Sequence, residues 1–168
     1  MSVGRSAGQP AQLCWTVVDS PIDPLLLVGD ETGLRSLWMA PHTPPADAVR
    51  DDDALAPAAT QLAEYFAGER TRFELALAPQ GTPFQQKVWL ALRDIQYGRT
   101  TTYGAIAAEL GQPTASRAVG LANGRNPIAI IVPCHRVIGA DGTLTGYAGG
   151  MDRKRHLLDL ESGIRAFA

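Results

Sequence analysis

The stretch "TPFQQKVWLALRDIQYGRTTTYGAIAAELGQPTASRAVGLANG", Thr82 to Gly124, decides the fold class. It opens as a helix start: Thr82 as N-cap, Pro83 at the first helical position and Gln85 three residues after the cap, a pattern that satisfies the free N–H groups of a first turn. Phe84, Val88, Leu92 and Ile95 then recur at helical spacing and make one apolar stripe, which "QYG" ends. Thr102 caps a second helix, "YGAIAAELG", with Ile106, Ala107 and Leu110 inward and Gly111 as terminator. Pro113 and Thr114 restart a third, "ASRAVGLANG", closed by Gly124. Two short helices joined by a tight turn containing Gly and Pro outline a helix-turn-helix.

Downstream lies "NPIAIIVPCHRVIGADG", Asn126 to Gly142, where the apolar run IAIIV reads as a buried strand that delivers Cys134, His135 and Arg136 to its lip. The loop "ADGTLTGYAGG" follows. A last helix, "DRKRHLLDLES", is opened by Asp152 and closed by Gly163.

Upstream the pattern changes. "LCWTVV", "PLLLVG" and "LRSLWMA" are separated by turn-rich "DSPID" and "GDETG" and read as a short antiparallel meander. After a Pro- and Asp-rich loop, Leu55, Ala59, Leu62 and Phe66 recur at helical spacing, with Gly68 as the stop. "TRFELAL" alternates Phe73, Leu75 and Leu77 like a half-buried strand, and "APQGT" reads as a linker. The expectation is an α+β protein: a flexible tail over 1–10, a small sheet-and-helix lobe over 11–78, and a mainly helical lobe with the helix-turn-helix over 79–168.

Composition narrows the function classes. No run approaches the roughly 20 apolar residues of a membrane span, and the first twelve residues lack a signal peptide's apolar middle, which predicts a cytoplasmic protein without membrane contact. Cys14 and Cys134 are too few for a disulfide framework, and His42, His135 and His156 stand at spacings that hold no zinc. We therefore expect free thiols and no metal. Residues 1–81 carry 5 basic and 11 acidic side chains, whereas residues 82–168 carry 10 basic and 6 acidic. The positive half is the one with the helix-turn-helix, which points to a polyanion.

Cys134 is a useful nucleophile only as thiolate, and a free thiol with a pKa of about 8.5 is scarcely ionised at neutral pH. His135 is the adjacent base, reaching the sulfur through a bend of the chain or a bridging water. An orienting carboxylate must then come from Asp141, Asp152, Asp159 or Glu161. Glu161 is preferred, because it follows Leu157 by one turn and so shares the packed face of the last helix. On the third helix Arg117, Gly120 and Leu121 share a face, opposite one containing Ala118 and Ala122. That face suits either a nucleic-acid groove or close helix packing.

With these pieces in place, the sequence resembles the O6-alkylguanine-DNA alkyltransferases, also called methylated-DNA-protein-cysteine methyltransferases. The resemblance is carried by "IVPCHRVIGADGTLTGYAGG", by "GTPFQQKVWLALRDIQYGRTTTYGAIA" and by "SRAVGLANGRNP", with "DSPIDPLLL" and "EYFAGE" agreeing in the first lobe. It implies a ribonuclease H-like sheet with a helix for that lobe. It further implies direct-reversal DNA repair, in which Cys134 accepts the alkyl group of O6-alkylguanine, and of O4-alkylthymine, once per molecule and without a cofactor. In that scheme His135 acts through a water, Glu161 holds His135, Asn126 braces the turn and Tyr103 donates its hydroxyl to guanine N3. The carbonyls of Cys134 and Val137 face the exocyclic amine, the Ala148 N–H faces O6, and Tyr147 with Gly149 and Gly150 walls the pocket. Arg117 fills the place of the flipped nucleotide, and Gly120 and Ala122 ride on a helix that enters the minor groove of double-stranded DNA. The resemblance implies a monomer and leaves cooperative packing along DNA open.

Three rivals stand beside it. A lesion sensor of the alkyltransferase-like kind lacks the acceptor thiol, and PCHRV is intact here. A transcriptional regulator would need a further domain. A cysteine hydrolase would turn over rather than be consumed.

Overall fold

Strand β2 (Leu25–Asp30) is the hub of the sheet: its Leu25, Leu26, Leu27 and Val28 are all buried, so both faces of the sheet are covered there. It pairs antiparallel with β1 (Cys14–Val18) and with β3 (Gly33–Met39), while β4 (Val49–Arg50) adds in parallel to β1, giving the order β3-β2-β1-β4. The computed structural model describes residues 12–144, 146–147 and 149–163. The tail expected over 1–10 lies outside the described residues.

Helix α1 (Ala56–Phe66) turns Ala58, Leu62 and Tyr65 inward, so the stripe expected over Leu55, Ala59, Leu62 and Phe66 is rotated by one position, with Ala59 and Phe66 only half-buried. The helical part follows as α2 (Pro83–Arg93), β5 (Thr101–Thr102), α3 (Tyr103–Glu109), α4 (Ser116–Gly124), a single 3₁₀ turn over Cys134–Arg136, β6 (Val137–Ile138) and α5 (Met151–Ser162). Thr82 and Gln85 form the reciprocal capping box: Thr82 Oγ1 accepts from the Gln85 N–H at 3.1 Å and Gln85 Oε1 from the Thr82 N–H at 2.9 Å. Thr102 caps α3 by accepting from the Ala105 N–H. Each such cap stabilises its helix by about 1 kcal/mol. Trp89 Nε1 donates to the Ala122 carbonyl at 2.9 Å and locks α2 against α4. Buried residues of the sheet, α1 and all four later helices form one continuous core.

Several expectations are corrected. The "TRFELAL" segment is not a regular strand. Only Leu77 bridges to Leu34, flanked by bonds from the Leu34 N–H to the Ala76 carbonyl and from the Ala78 N–H to the Leu34 carbonyl. The alternation of Phe73, Leu75 and Leu77 is real, but it packs against the core from an irregular segment that touches the β3 edge at one point. The IAIIV run is not a strand either. It is a series of tight turns, with Ile130 at φ 73° and the Val132 N–H reaching back to the Ile128 carbonyl. Apolar continuity reported burial, and burial by itself does not select an extended backbone. The Leu37 N–H donates to the Pro127 carbonyl, so the same β3 edge is sealed at both ends by chain from elsewhere.

Smaller differences have local causes. Strand β4 arises inside the loop expected between β3 and α1, because the Val49 and Asp51 N–H groups find carbonyls of Leu13 and Trp15. Helix α4 starts at Ser116 with Ala115 as an uncapped first position, so Thr114 does not cap it. Helix α5 starts one residue early behind Gly150, and Asp152 sits in its first turn instead of capping it; Gly163, at φ 79°, closes it as expected.

Candidate active site

The turn that follows Pro133 is what gathers the chemistry. Cys134, His135 and Arg136 occupy one tight 3₁₀ turn, all buried, and consecutive side chains therefore leave it in different directions. Cys134 reaches the floor of a cavity of about 370 Å³. His135 and Arg136 point the other way, toward α5.

Behind the turn sits Glu161. His135 Nε2 lies 2.7 Å from its Oε2, and Arg136 grips the carboxylate with Nε at 2.7 Å from Oε1 and a terminal nitrogen at 2.9 Å from Oε2. Of the four carboxylates that sequence left open, Glu161 is the one the structure places here. Burial alone would push its carboxyl up, but the hydrogen bonds and charges of His135 and Arg136 hold it down at about 2. A carboxylate can only accept, so the proton between the pair resides on Nε2 of His135. Burial drives the His135 pKa down, against the pull of Glu161 and with the help of the Arg136 and Lys154 charges, which leaves the imidazole neutral with its Nδ1 lone pair available.

The thiol is set by opposing influences. Burial pushes Cys134 up, while Asn126, the Lys154 ammonium and the Tyr147 hydroxyl draw it down. Lys154 is itself fully buried on α5, and its Nζ donates to the Val137 carbonyl at 2.6 Å. Asn126 ties the irregular turn together: Nδ2 donates to Val132 at 2.8 Å and to Ile128 at 3.4 Å, and Oδ1 accepts from the Ile128 N–H at 3.0 Å. Three buried polar side-chain atoms have no hydrogen-bond partner among the described residues: His135 Nδ1, the Tyr147 hydroxyl and Asn123 Oδ1. Tyr147 and Asn123 line the cavity beside Cys134, and His135 follows it in the chain.

Of the site residues expected from sequence, Cys134, Asn126, Tyr147 and Gly149 line the cavity, and His135 and Glu161 lie behind it. A Cβ on Gly149 would collide with Met39 Sδ and stand 2.8 Å from the Tyr147 ring, so a larger residue would have to displace these side chains of the cavity wall. Val137 is buried, and its carbonyl accepts from Lys154. Tyr103 opens α3 with its ring over Gly120, where an added Cβ would lie 3.7 Å away. Arg117 is exposed in the first turn of α4, with Leu121 exposed one turn on. Ala122 departs from expectation: it is 3% exposed and turned into the core against α2, because the carbonyl of the same residue receives Trp89. Its side chain therefore faces away from the solvent side of α4, whereas Ala118 is exposed. Ala148 lies outside the described residues.

Sequence reasoning missed the contribution of the sheet. Trp38, Met39 and Pro41, at and after the end of β3, form one wall of the cavity, and Arg153 braces that wall by donating to the Ala40 carbonyl at 2.7 Å and to Asp23 at 2.9 Å. Tyr65 on α1 donates its hydroxyl to Glu161 Oε2 at 2.5 Å. No local pattern marks these residues, since Tyr65 and Glu161 are 96 positions apart. Arg136 stood in plain view beside His135, but its grip on Glu161 appears only when α5 packs against the turn. Among the described residues, no group of three or more His, Cys, Asp or Glu is placed to hold a metal.

Known proteins resemble the chain along both of its parts. Residues 13–79 match the family model for the ribonuclease-like domain of 6-O-methylguanine DNA methyltransferase, and residues 83–163 match the model for its DNA binding domain. The chain is 54% identical to a methylated-DNA–protein-cysteine methyltransferase of Methanosarcina acetivorans over 88% of its length and 97% of the relative. It is 55% identical to the protein of the same name from Mycobacterium tuberculosis, over 88% of this chain and 91% of that one. The crystal structure of Mycobacterium tuberculosis OGT in complex with DNA superposes with a TM-score of 0.86 at 54% identity, covering 90% of this chain and 94% of that one.

Proposed function

The chain belongs to the 6-O-methylguanine DNA methyltransferase family, and from that premise we propose that it repairs O6-alkylguanine in double-stranded DNA by moving the alkyl group onto Cys134. The observation that carries the assignment to Cys134 is that its thiol opens on a cavity where the buried Tyr147 hydroxyl and Asn123 Oδ1 have no hydrogen-bond partner among the described residues, while the next residue, His135, keeps Nδ1 unpartnered behind it. Buried polar atoms are nearly always paired, and exceptions beside a buried thiol and on the histidine that follows it suit a site that takes a polar ligand and a proton relay.

The chemistry follows from the two sides of the turn. The thiol proton passes through a water to Nδ1 of His135, whose Nε2–H remains with Glu161, so the imidazolium forms beside a carboxylate. Lys154 offsets the charge of the thiolate from the other side. Sulfur then attacks the alkyl carbon in line with O6: the carbon–oxygen bond breaks as the sulfur–carbon bond forms, and guanine leaves with the electron pair. The Tyr103 hydroxyl, directed at guanine N3, disperses that negative charge. The thioether has no route back, so each molecule acts once.

An alkyl carbon inside the stacked duplex offers no in-line approach, so the nucleotide must leave the helix. Arg117, exposed at the start of α4, takes its place, with Gly120 on the same helix facing the minor groove. Contacts in that groove carry little sequence information, which suits a lesion that occurs in any context. Asn126 keeps the turn rigid, the Cys134 and Val137 carbonyls receive the exocyclic amine, the Ala148 N–H meets O6, and Gly149 lets the pocket wall close. The division into an 11–78 and a 79–168 domain and a cytoplasmic location belong to the same proposal. Two family models meeting between residues 79 and 83 support the first; for the second, no described helix is long and apolar enough to cross a membrane.

The test is intact mass and peptide mapping after incubation with an equimolar duplex carrying one O6-methylguanine. One methyl on the Cys134 peptide, with guanine restored, is the expected result. Tight lesion-selective binding without a mass gain would move the protein to the sensor class.

A further inference from the structure

Tyr65, on the sheet side of the chain, touches the machinery behind Cys134. It is fully buried on α1, its ring packed against Phe66, Phe73 and Tyr97 at centroid distances of 5.2, 5.4 and 6.2 Å, so its hydroxyl has a single direction to point. That direction is Oε2 of Glu161, at 2.5 Å. The same oxygen accepts from His135 Nε2 at 2.7 Å and from Arg136 at 2.9 Å. Burial, and then the Glu161 charge, keep the phenol protonated, so it is a donor at every working pH.

Three donors on one oxygen compete for the same negative charge. What Tyr65 and Arg136 take up is no longer offered to the imidazole. Without that competition, a carboxylate facing His135 in a dry cavity would favour an imidazolium in the resting protein, and Cys134 would then have no base. The groups that face this pair are Arg136 on the turn, Lys154 on α5, Tyr97 beside Arg136 and Glu161, Tyr147 from the cavity side, and Tyr65 on α1. Arg136 and Lys154 are cations that also anchor backbone carbonyls, of Ile95 and Val137. Tyr65 contributes nothing to that anchoring and acts on the pair through one hydrogen bond.

We propose that Tyr65 is a positioning residue of the transfer reaction: its hydroxyl, by holding Oε2 of Glu161, keeps His135 neutral and available as the base. The sheet-bearing part of the chain is thereby a working part of the nucleophile's activation. This inference rests on Cys134 as the alkyl acceptor.

The test is the pH dependence of benzyl transfer from free O6-benzylguanine to the full-length protein, followed by mass between about pH 5 and pH 9, for wild type and Tyr65→Phe. Removing the hydroxyl should move the acid limb of the rate profile upward by about one pH unit, the scale of one redistributed hydrogen bond. The variant is then slower along the acid limb and recovers the wild-type rate at the alkaline end. A purely structural role would lower the rate evenly at every pH. An unmoved midpoint therefore overturns the proposal. A fluorinated tyrosine incorporated at position 65 is a stronger donor and should move the limb downward; it decides the matter if the phenylalanine variant fails to fold, and an unmoved midpoint there is equally fatal. Absence of benzyl on Cys134 in the wild type is a separate outcome, and it sinks the acceptor reading instead.

Discussion

The two sides of the Cys134 turn are built in opposite ways. Behind it, Glu161 is saturated: His135, Arg136 and Tyr65 all donate to one carboxylate, and α5, α1 and the turn close over them. In front of it, Tyr147 and Asn123 keep polar atoms without partners, and the wall of Trp38, Met39 and Pro41 stands around an open cavity. The saturated side fixes a proton inventory before any substrate arrives. The open side leaves its hydrogen bonds to be made by the ligand. The contrast teaches where each kind of substitution should act: changes behind the turn should show in stability and pH dependence, changes in front in substrate choice.

The largest break comes at the nucleophile that both sides share. Cys134→Ala should abolish alkyl transfer, read by intact mass, while binding to lesion-bearing duplex survives; transfer persisting through Cys14 would void the assignment.

Behind the turn, acid should unfold the protein through Glu161. Its folded pKa of about 2 lies below the ordinary 4.5, so its stabilisation is fully present above pH 4.5 and is lost as pH falls through 2. The lost stabilisation is about 3 kcal/mol on the linkage relation. His135, held neutral by burial, adds a loss of the same sign that begins below its ordinary 6.5. Glu161→Gln should weaken the protein at neutral pH by about 3 kcal/mol, since it strands the Arg136 charge, and should flatten the acid slope between 4.5 and 2. Urea titrations at several pH values measure both; a slope unchanged in the variant would show that Glu161 is not the acid-labile group.

Outside both sides, Arg117→Ala should slow repair of duplex DNA by about tenfold or more while leaving reaction with free benzylguanine near wild type, because only the duplex must surrender a stacked base. Equal loss on both substrates would place Arg117 in the chemistry instead.

The smallest effect tests the open side. Trp38 is 46% exposed at the cavity lip and offers an aromatic face. Trp38→Ala should slow transfer of a benzyl group by about threefold to tenfold, the scale of one aromatic contact, and leave methyl transfer nearly unchanged. A parallel loss for both groups would show that the wall supports the fold and not the substrate.

Much of this was legible from local signals. The Thr82 and Gln85 capping box, the Thr102 cap and the presence of α1 and α2 are local chemistry and appear as read, although the inward faces are centred on Ala58, Leu62 and Tyr65 and on Val88, Trp89 and Leu92. The helix-turn-helix and the preference for Glu161 were likewise visible as short patterns. The failures share one cause. In IAIIV and in "TRFELAL", apolar content announces burial, yet the backbone path there is set by partners far away in the chain: Asn126 bonding across its own turn, and the β3 edge receiving Ala76 and Pro127. Ala122 fails for a similar reason, since a nine-residue helix presents both faces and only the seat of Trp89 decides which one is inward.

By itself, the sequence determined the α+β order of elements and the caps that bound the helices, because each depends on residues within about one or two helical turns of one another. Tertiary structure alone decided that Tyr65 meets Glu161, that Trp38 walls the cavity of Cys134 and that an apolar run coils instead of extending. Those outcomes depend on which distant surfaces meet when a single core forms, and side-chain type restricts that choice without fixing it.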